Sequence, residues 1–272
     1  MKISIIIPVS NDLKLINCIK SIDENVEVVI SLNKASKDIK KLVKDILHNQ
    51  KLQRYLKIIV CEIDEASIAK AYNNGIKHSS YSKVLLMDSD CVFEKGTIRK
   101  LNNNLGNNFL SKGKVIFKSN SWASSVIAKA REYHTSDKVN AYSPPLLFKK
   151  TIKKYIKGYY FHPSLCWSED SEFDIRVKKA NLKIAYDPTV VIYHPALNLR
   201  SDLKSSFWYG IGRRIGVEVG VRDKPIGVLG SFRKYVLEAS KEKGLITGFY
   251  LFVWKMSTLL GYHAQKILKL RG

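Results

Sequence analysis

The stretch KVLLMDSD, residues 83–90, decides the fold, because an apolar run stops there at two closely spaced carboxylates. Residues 83–87 predict a buried strand that ends at Asp88. Three earlier apolar runs, residues 3–8, 26–32 and 56–61, have similar lengths and are separated by helix-like stretches at 12–22, 39–49 and 67–78. Short apolar strands that alternate with helices predict an α/β fold, a mostly parallel sheet flanked by helices on both faces.

The second half of the chain has a less regular pattern. Residues 101–108 (LNNNLGNN) predict a polar loop, residues 114–118 a strand and residues 142–145 a turn. Residues 168–180 predict a helix with acids in its first turn and bases in its last, followed by strands at 183–186 and 189–193. We therefore expect an α/β domain over residues 1–198, with halves at 1–100 and 101–198, and a helical region over 199–272.

Composition limits the class of protein. With 272 residues and 45% hydrophobic side chains, the chain can bury a substantial core, which excludes a disordered protein. Its 46 Lys+Arg and 24 Asp+Glu give a net charge of +22, which favours nucleic acid, an anionic membrane surface or a phosphate-bearing substrate as partner. Four cysteines without a CxxC pair argue against a zinc module or a disulfide scaffold and favour the cytoplasm.

The positive charge is concentrated near the carboxyl terminus. Residues 200–272 contain 14 Lys+Arg against 5 Asp+Glu, and residues 245–262 are apolar and aromatic except for Lys255. Three interpretations of residues 245–262 remain open, namely an interfacial helix, a helix packed in the fold and a membrane span. The flanking bases and interleaved aromatics favour the interfacial helix.

The carboxyl ends of the strands are where ligands bind in sheets of this kind. Neither GxGxxG nor GxxxxGK[ST] occurs there, which argues against dehydrogenases and P-loop proteins. Asp88 and Asp90 instead have the chemistry of a Mg²⁺ or Mn²⁺ site that also holds phosphates, although a polar turn is the alternative.

Three other groups could have chemical roles. Glu169 and Asp170 begin the predicted helix, where acids also serve as simple caps, and Asp170 acts as a base only if desolvation offsets the helix dipole. His194 ends a predicted strand and is either structural or a ligand. Arg213 and Arg214, in FWYGIGRR, lie either in a solvated basic turn or at a phosphate.

The order of the motifs is more specific than any one of them. It runs IIIPVSND (5–12), NKASKD (33–38), AYNNGI (71–76), LLMDSD (85–90) and WSED (167–170), with a later strand-end histidine. This order resembles the family 2 glycosyltransferases of the GT-A fold over residues 1–195.

The resemblance implies a role for each matching position. It places Asp88 on the nucleotide sugar, Asp90 on a divalent metal, and His194 as a second metal or diphosphate contact. It makes Asp170 the general base, with Glu169 and Trp167 at the acceptor site. The remaining donor-side residues that it implies are Pro8, Ser10, Asp12, Asn33, Asp38, Asn73, Arg213 and Arg214.

Some positions depart from the family pattern. Asn33 and Lys34 replace an acidic pair, Tyr72 stands where an arginine is common, and Ser10 replaces an aromatic residue. Because the acidic pair usually contacts the base, the pattern does not identify the donor nucleotide.

The leading hypothesis is therefore an inverting, metal-dependent glycosyltransferase at the cytoplasmic face of a membrane. It would use Mn²⁺ or Mg²⁺, take a nucleotide-sugar donor, and transfer to a hydroxyl of a lipid-linked or polysaccharide acceptor. Five lysines within residues 149–157 would favour an anionic acceptor.

Three alternatives use the same sequence features. A basic nucleic-acid-binding protein would explain the charge, although no nucleic-acid-binding motif is present. A protein of the same fold could bind nucleotide sugar without turnover. A sugar nucleotidyltransferase would need a Gly-rich loop soon after the first strand, and SNDLK (10–14) lacks glycine.

Overall fold

An eight-stranded sheet forms the centre of the computed structural model, which describes residues 1–269. The strands are β1 (Ser4–Val9), β2 (Val26–Asn33), β3 (Leu56–Ile63), β4 (Lys83–Leu86), β5 (Val92–Phe93), β6 (Leu110–Phe117), β7 (Leu146–Lys149) and β8 (Ile184–His194). Their spatial order is β3-β2-β1-β4-β7-β6-β8-β5. The first four strands pair in parallel, whereas β7 pairs antiparallel with both β4 and β6.

Helices cover the sheet and continue beyond it. They are α1 (Leu15–Lys20), α2 (Lys37–Leu47), α3 (Gln50–Gln53), α4 (Ile68–His78), α5 (Thr97–Leu105), α6 (Trp122–Thr135), α7 (Glu169–Lys179), α8 (Leu199–Glu218), α9 (Val228–Ser231), α10 (Ala239–Lys243) and α11 (Leu245–Lys269). A 3₁₀ segment (Lys150–Lys154) follows β7, and a π-helical segment (Phe232–Glu238) joins α9 to α10. The predicted α/β fold with a C-terminal helical extension is confirmed.

Burial explains why the apolar runs form central strands. Ile5 and Ile7 pack in one apolar cluster, while Ile6 and Val29 pack in another on the opposite face. Since both faces of these strands are covered, the sequence is apolar throughout rather than alternating.

Two sequence predictions in the second half are wrong. Residues 101–108 lie mostly in α5, because Ile98, Leu101 and Leu105 are buried beneath an otherwise Asn-rich surface. Asp187-Pro188 does not end a strand either. It lies within β8, where the register against β6 shifts between Lys112 and Lys114.

The C-terminal helices pack against the rest of the protein. Gly210 of α8 and Gly261 of α11 lie against backbone atoms of the opposite helix, and Lys255 is only 5% exposed. FWYGIGRR is therefore helical rather than a turn, and residues 245–262 form a packed helix. Its outer face remains apolar and exposed at Ile246, Phe249 and Leu260. Within residues 1–269, no helix has both the length and the apolar character needed to cross a bilayer.

Candidate active site

The carboxyl ends of β4, β6 and β8 contribute to one wall of a large cavity. Asp88 and Asp90 follow β4, and a cavity of about 580 Å³ brings them together with Asp170 and His194. These four residues come from three distant parts of the sequence. The fold therefore assembles the acidic cluster that the sequence analysis predicted.

Asp88 is oriented by Tyr72, one of the residues that depart from the family pattern. The Tyr72 hydroxyl, on the fully buried face of α4, donates a 3.0 Å hydrogen bond to Asp88 Oδ1 and lies 3.1 Å from Ser143 Oγ. Burial, followed by repulsion from Asp90, raises the pKa of Asp88 to about 7, while the Tyr72 hydrogen bond opposes that rise. The Tyr72 hydrogen bond thus favours the charged form of Asp88, whereas burial and the charge of Asp90 favour the protonated form.

Asp90 and His194 have the geometry of two ligands of one cation. His194 Nδ1 lies 2.8 Å from the Pro195 carbonyl, which can only accept, so Nδ1 carries the proton. Its Nε2 lies 3.4 Å from Asp90 Oδ2, so the two atoms face the same space. A histidine whose other nitrogen donates to a backbone carbonyl is the usual arrangement of a metal ligand.

Cys91 lies within the same group of potential ligands, all within 4.8 Å of one another. Burial, and then Asp88 and Asp90, raise the pKa of its thiol well above the ordinary range. Soft thiolates suit Zn²⁺ and Cu⁺ better than Mn²⁺ or Mg²⁺, so Cys91 is the least suitable of the three for a hard cation. The carboxylate and imidazole pair would suit Mn²⁺ or Mg²⁺.

Asp170 is held at the start of α7 by a strained turn. Ser168 adopts a left-handed conformation with φ 64°, its hydroxyl donates to the Tyr209 carbonyl at 3.1 Å, and its carbonyl accepts from Arg222 at 3.2 Å. Strained backbone of this kind persists only where surrounding contacts impose it. Burial raises the pKa of Asp170, against the lowering effect of the Ser171 backbone N–H. Desolvation therefore outweighs the hydrogen bond and makes Asp170 a stronger base than an exposed aspartate.

The two other predicted acceptor-site residues lie beside this turn rather than on the cavity wall. Glu169 is 7% exposed, and burial followed by the charge of Asp170 raises its pKa well above the usual range. Trp167 stacks on Trp208 with ring centroids 6.4 Å apart, and its backbone lies against Gly212 of α8. Trp167 thus packs the segment before α7 against α8.

Lys112 is a site residue that the sequence did not reveal. It lies on β6, is 1% exposed, and donates to the carbonyl oxygens of Tyr142 and, at 3.1 Å, Pro144. Burial lowers its pKa to about 8, and the nearby charges of Asp170 and Asp88 oppose that shift. The lysine is thus a buried counter-charge to both carboxylates.

Four of the predicted donor-side residues lie at the same edge of the sheet but outside this cavity. Pro8 is buried in β1, Ser10 follows that strand, and Asp12 Oδ1 accepts from the Lys14 N–H at 2.8 Å. Asn33 Oδ1 accepts from the Ser67 N–H at 2.9 Å. Their positions border the ends of β1 and β2.

Two predicted donor residues have other environments. Asp38 is an exposed residue in the first turn of α2. Asn73 uses both ends of its amide on the backbone of Phe161, donating at 2.7 Å and accepting at 3.2 Å. Asn73 therefore braces the segment around Phe161, and its contribution to a ligand site would be indirect.

Arg213 and Arg214 are adjacent on α8 but have different surroundings. Arg213 lines the cavity, whereas Arg214 pairs with Glu218 at 2.8 Å and lies over the Tyr262 ring. Arg213 belongs to a second set of lining residues, which we call the basic chamber: Arg213, Arg222, Lys234 and Lys255. Sequence reasoning missed three of these four, because they come from α8, the following loop, the π-helical segment and α11.

The lysines of residues 149–157 do not reach the cavity. Lys149 donates to the Gly106 carbonyl at 2.9 Å, Lys150 to the Ser79 carbonyl at 2.7 Å, and Lys153 lies over the Tyr160 ring. None of the five lysines lines the cavity.

Comparisons with known proteins identify the family and the fold. The sequence model of glycosyl transferase family 2 matches residues 4–167, more than half of the chain. No curated protein sequence matches.

Three solved structures share the fold at low identity. A mannosyltransferase from Pyrobaculum calidifontis, PcManGT, in complex with GDP-Man and Mn²⁺, is 14% identical with a TM-score of 0.61, over 98% of this chain and 75% of that one. S. aureus TarS 1–349 in complex with UDP-GlcNAc is 14% identical with a TM-score of 0.57, over 100% and 92% of the two chains. A longer S. aureus TarS is 16% identical with a TM-score of 0.57 over 89% of this chain, which spans only 47% of its length.

Proposed function

The chain belongs to glycosyl transferase family 2 and is a glycosyltransferase, and from that premise we propose an inverting, metal-dependent transfer from a nucleotide sugar to an acceptor hydroxyl. The observation that carries the proposal is the single cavity that holds Asp88, Asp90, His194 and Asp170. The family match ends at residue 167, so the role of Asp170 rests on its position in that cavity.

The metal is proposed from the chemistry of its ligands. Asp90 and His194 would hold Mn²⁺ or Mg²⁺, which would stabilise the negative charge of the departing nucleoside diphosphate. The neighbour PcManGT was solved with GDP-Man and Mn²⁺, which supports a divalent ion in this fold.

Asp170 is proposed as the general base. Its carboxylate would accept the proton of the acceptor hydroxyl while that oxygen attacks the anomeric carbon, and the bond to the diphosphate would break on the opposite face. One such displacement inverts the anomeric centre. Lys112 would stabilise the charged form of Asp170, since its ammonium group lies near enough to lower the pKa of that carboxyl.

The donor would extend from Asp88 towards the ends of β1 and β2. Pro8, Ser10 and Asp12 would border the base and ribose, and Asn33 and Asp38 lie near the end of β2 on the same side. Neighbouring structures bind UDP-GlcNAc and GDP-Man, so both nucleotides are candidates for this chain.

The helical extension is proposed to dock on an anionic membrane at the cytoplasmic face, close to a lipid-linked or polymeric acceptor. Residues 226–249 carry eight exposed large apolar side chains: Ile226, Val228, Leu229, Phe232, Leu237, Leu245, Ile246 and Phe249. Arg233, Lys241 and Lys243 are interspersed among them. Exposed apolar groups beside basic residues favour an interface with anionic lipid.

Vesicle sedimentation tests the docking. Leu229→Glu with Phe249→Glu should abolish recovery on phosphatidylglycerol vesicles, while Trp122→Glu, which changes an equally exposed side chain on α6, should leave recovery unchanged. Equal recovery of the two variants would remove the docking proposal.

Donor binding tests the catalytic proposal. UDP-GlcNAc and GDP-Man are titrated into the protein with and without Mn²⁺, comparing wild type, Asp90→Ala and the surface control Asp45→Ala. We expect Mn²⁺-dependent binding of one donor that is lost only in Asp90→Ala. Binding that is equal with and without Mn²⁺ in all three proteins would contradict the proposed metal site.

A further inference from the structure

The basic chamber brings four cations to one wall of the cavity. Lys255 is 5% exposed, and its ammonium group makes no hydrogen bond or ion pair within the described part of the chain. Such a buried charge is costly unless a partner of opposite charge compensates it. The fold therefore presents a lysine whose partner is missing.

Neighbouring hydrogen-bond donors are also left without partners. Arg222 donates one N–H to Ser168 at 3.2 Å, but its Nε is buried and unpaired among the described residues. The same holds for Trp254 Nε1, which also lines the cavity. The Lys255 ammonium, Arg222 Nε and Trp254 Nε1 can only donate, so a ligand that satisfies them must offer acceptor atoms. His134 Nε2 and Asp202 Oδ1 line the same cavity and are also without a hydrogen bond to any described residue, although Asp202 Oδ1 faces Arg131 Nε at 3.5 Å.

Acidic side chains that line the cavity do not neutralise the chamber. Asp202 interacts with Arg131 at 3.5 Å and accepts from the Tyr250 hydroxyl at 2.5 Å. Asp174 pairs with Lys178 at 2.7 Å and accepts from the Ala141 N–H at 2.8 Å. The chamber thus keeps its positive charge inside a site whose other wall is acidic.

The turn that carries Asp170 contacts the chamber directly. The Ser168 carbonyl, two residues before Asp170, accepts a hydrogen bond from Arg222 at 3.2 Å. Asp170 also lines the same cavity as Asp88 and the chamber. A phosphate held by the chamber would therefore lie beside the turn that carries the base.

We infer that the acceptor carries a phosphate ester and that Arg213, Arg222, Lys234 and Lys255 bind this phosphate, presenting a nearby hydroxyl to Asp170. The inference rests on the proposed function, because it assigns the chamber to the acceptor side of the same reaction. A phosphate supplies the negative charge and the acceptor oxygens that the ammonium, guanidinium and indole groups lack. Its source is either a soluble phosphate ester or a lipid headgroup.

The test measures phosphate binding directly, without any donor present. Glycerol 1-phosphate, and glycerol as its neutral counterpart, are titrated into wild type, Lys255→Met, Lys234→Gln and the control Lys153→Met, an exposed lysine outside the cavity. Vesicles containing phosphatidic acid or only phosphatidylcholine form the second arm. Thermal melting of each variant verifies that it is folded. Lys234→Gln is included because it changes an exposed residue of the chamber.

We expect wild type to bind one of the phosphate sources and not glycerol or phosphatidylcholine. Binding should weaken about tenfold or more in Lys255→Met, less in Lys234→Gln, and not at all in Lys153→Met. Glycerol 1-phosphate binding identifies a soluble ester, and binding to phosphatidic acid alone identifies a lipid phosphate.

Two results would overturn the inference. One is the absence of binding to either phosphate source in a folded protein. The other is a loss of donor affinity in Lys255→Met equal to the loss of phosphate affinity, because the chamber would then hold the donor diphosphate. If the proposed function is wrong, wild type should fail to bind any donor. The phosphate titration contains no donor, so its result is independent of that failure.

Discussion

Replacing Gly261 with alanine should separate the two helices that form the wall of the basic chamber. A Cβ at Gly261 would lie 1.9 Å from the Phe207 carbonyl oxygen, and one at Gly210 would lie 2.0 Å from the Thr258 carbonyl oxygen. Both obstacles are backbone atoms, so a rotamer change cannot relieve them, and α8 and α11 must move apart. Overpacking of this kind costs about 1–3 kcal/mol.

The cost converts into a measurable change in melting temperature. An unfolding entropy of about 2.1 cal/mol/K per residue gives about 0.6 kcal/mol/K for the whole chain, so Gly261→Ala should lower Tm by about 2–5 °C. Gly230→Ala is the matched control, because its nearest neighbour would be Ile226 Cβ at 3.5 Å. Helix propensity alone would stabilise that control by up to about 1 kcal/mol.

Differential scanning calorimetry and limited proteolysis of α11 provide the readouts. Gly261→Ala should melt earlier and be cleaved faster than wild type, whereas Gly230→Ala should melt at the same temperature or later. If both variants gain stability equally, α11 does not pack on α8 as described, and the chamber loses its structural basis.

Three further changes test other parts of the site. Asp170→Asn should reduce transfer by about 10²–10⁴-fold, with little change in donor affinity. In wild type, the raised pKa of Asp170 should place the acid limb of the pH–kcat/KM profile above the ordinary aspartate range, since only the deprotonated base is active. Tyr72→Phe should weaken donor binding about tenfold or more while Tm stays near wild type, because Asp88 loses its hydrogen bond but the ring contact with Phe161 remains. Arg176→Met should lower Tm by about 5–9 °C in calorimetry, since removing one partner of a buried ion pair costs about 3–5 kcal/mol and Glu172 is 1% exposed. Arg176 also donates to the Ile156 and Tyr159 carbonyls, so an unchanged Tm would show that it does not anchor α7 to that segment.

The sequence was sufficient for the first four strands because their features are local. Uniformly apolar runs of strand length identify β1 to β4, and Asp88 and Asp90 follow the last of them directly. Acids at a helix start also serve as simple caps, so the prediction of Asp170 depends on the resemblance to the family and not on its local pattern. Helix α5 was not predicted because only three of its residues are apolar and buried, and the others are mostly polar, including three asparagines.

The cationic part of the cavity could not be predicted because its residues are far apart in sequence. Lys255 appeared to be an unfavourable charge in an apolar stretch, and only the packing of α11 on α8 turns it into the cavity. The strand of Lys112 contains a second lysine, Lys114, and nothing in the local sequence indicates that Lys112 is the buried one. The lysines of residues 149–157 form the denser charge cluster in sequence, yet they remain outside the site.

The stereochemistry of donor cleavage tests the central claim most directly. Proton NMR can follow slow hydrolysis of the donor that the binding titration identifies, and it reports which anomer of the free sugar appears first. With an α-linked donor such as UDP-GlcNAc or GDP-Man, a single displacement assisted by Asp170 predicts that the β-anomer forms first and that Asp170→Asn stops its formation. Initial release of the α-anomer, or an unchanged rate in Asp170→Asn, would contradict the mechanism.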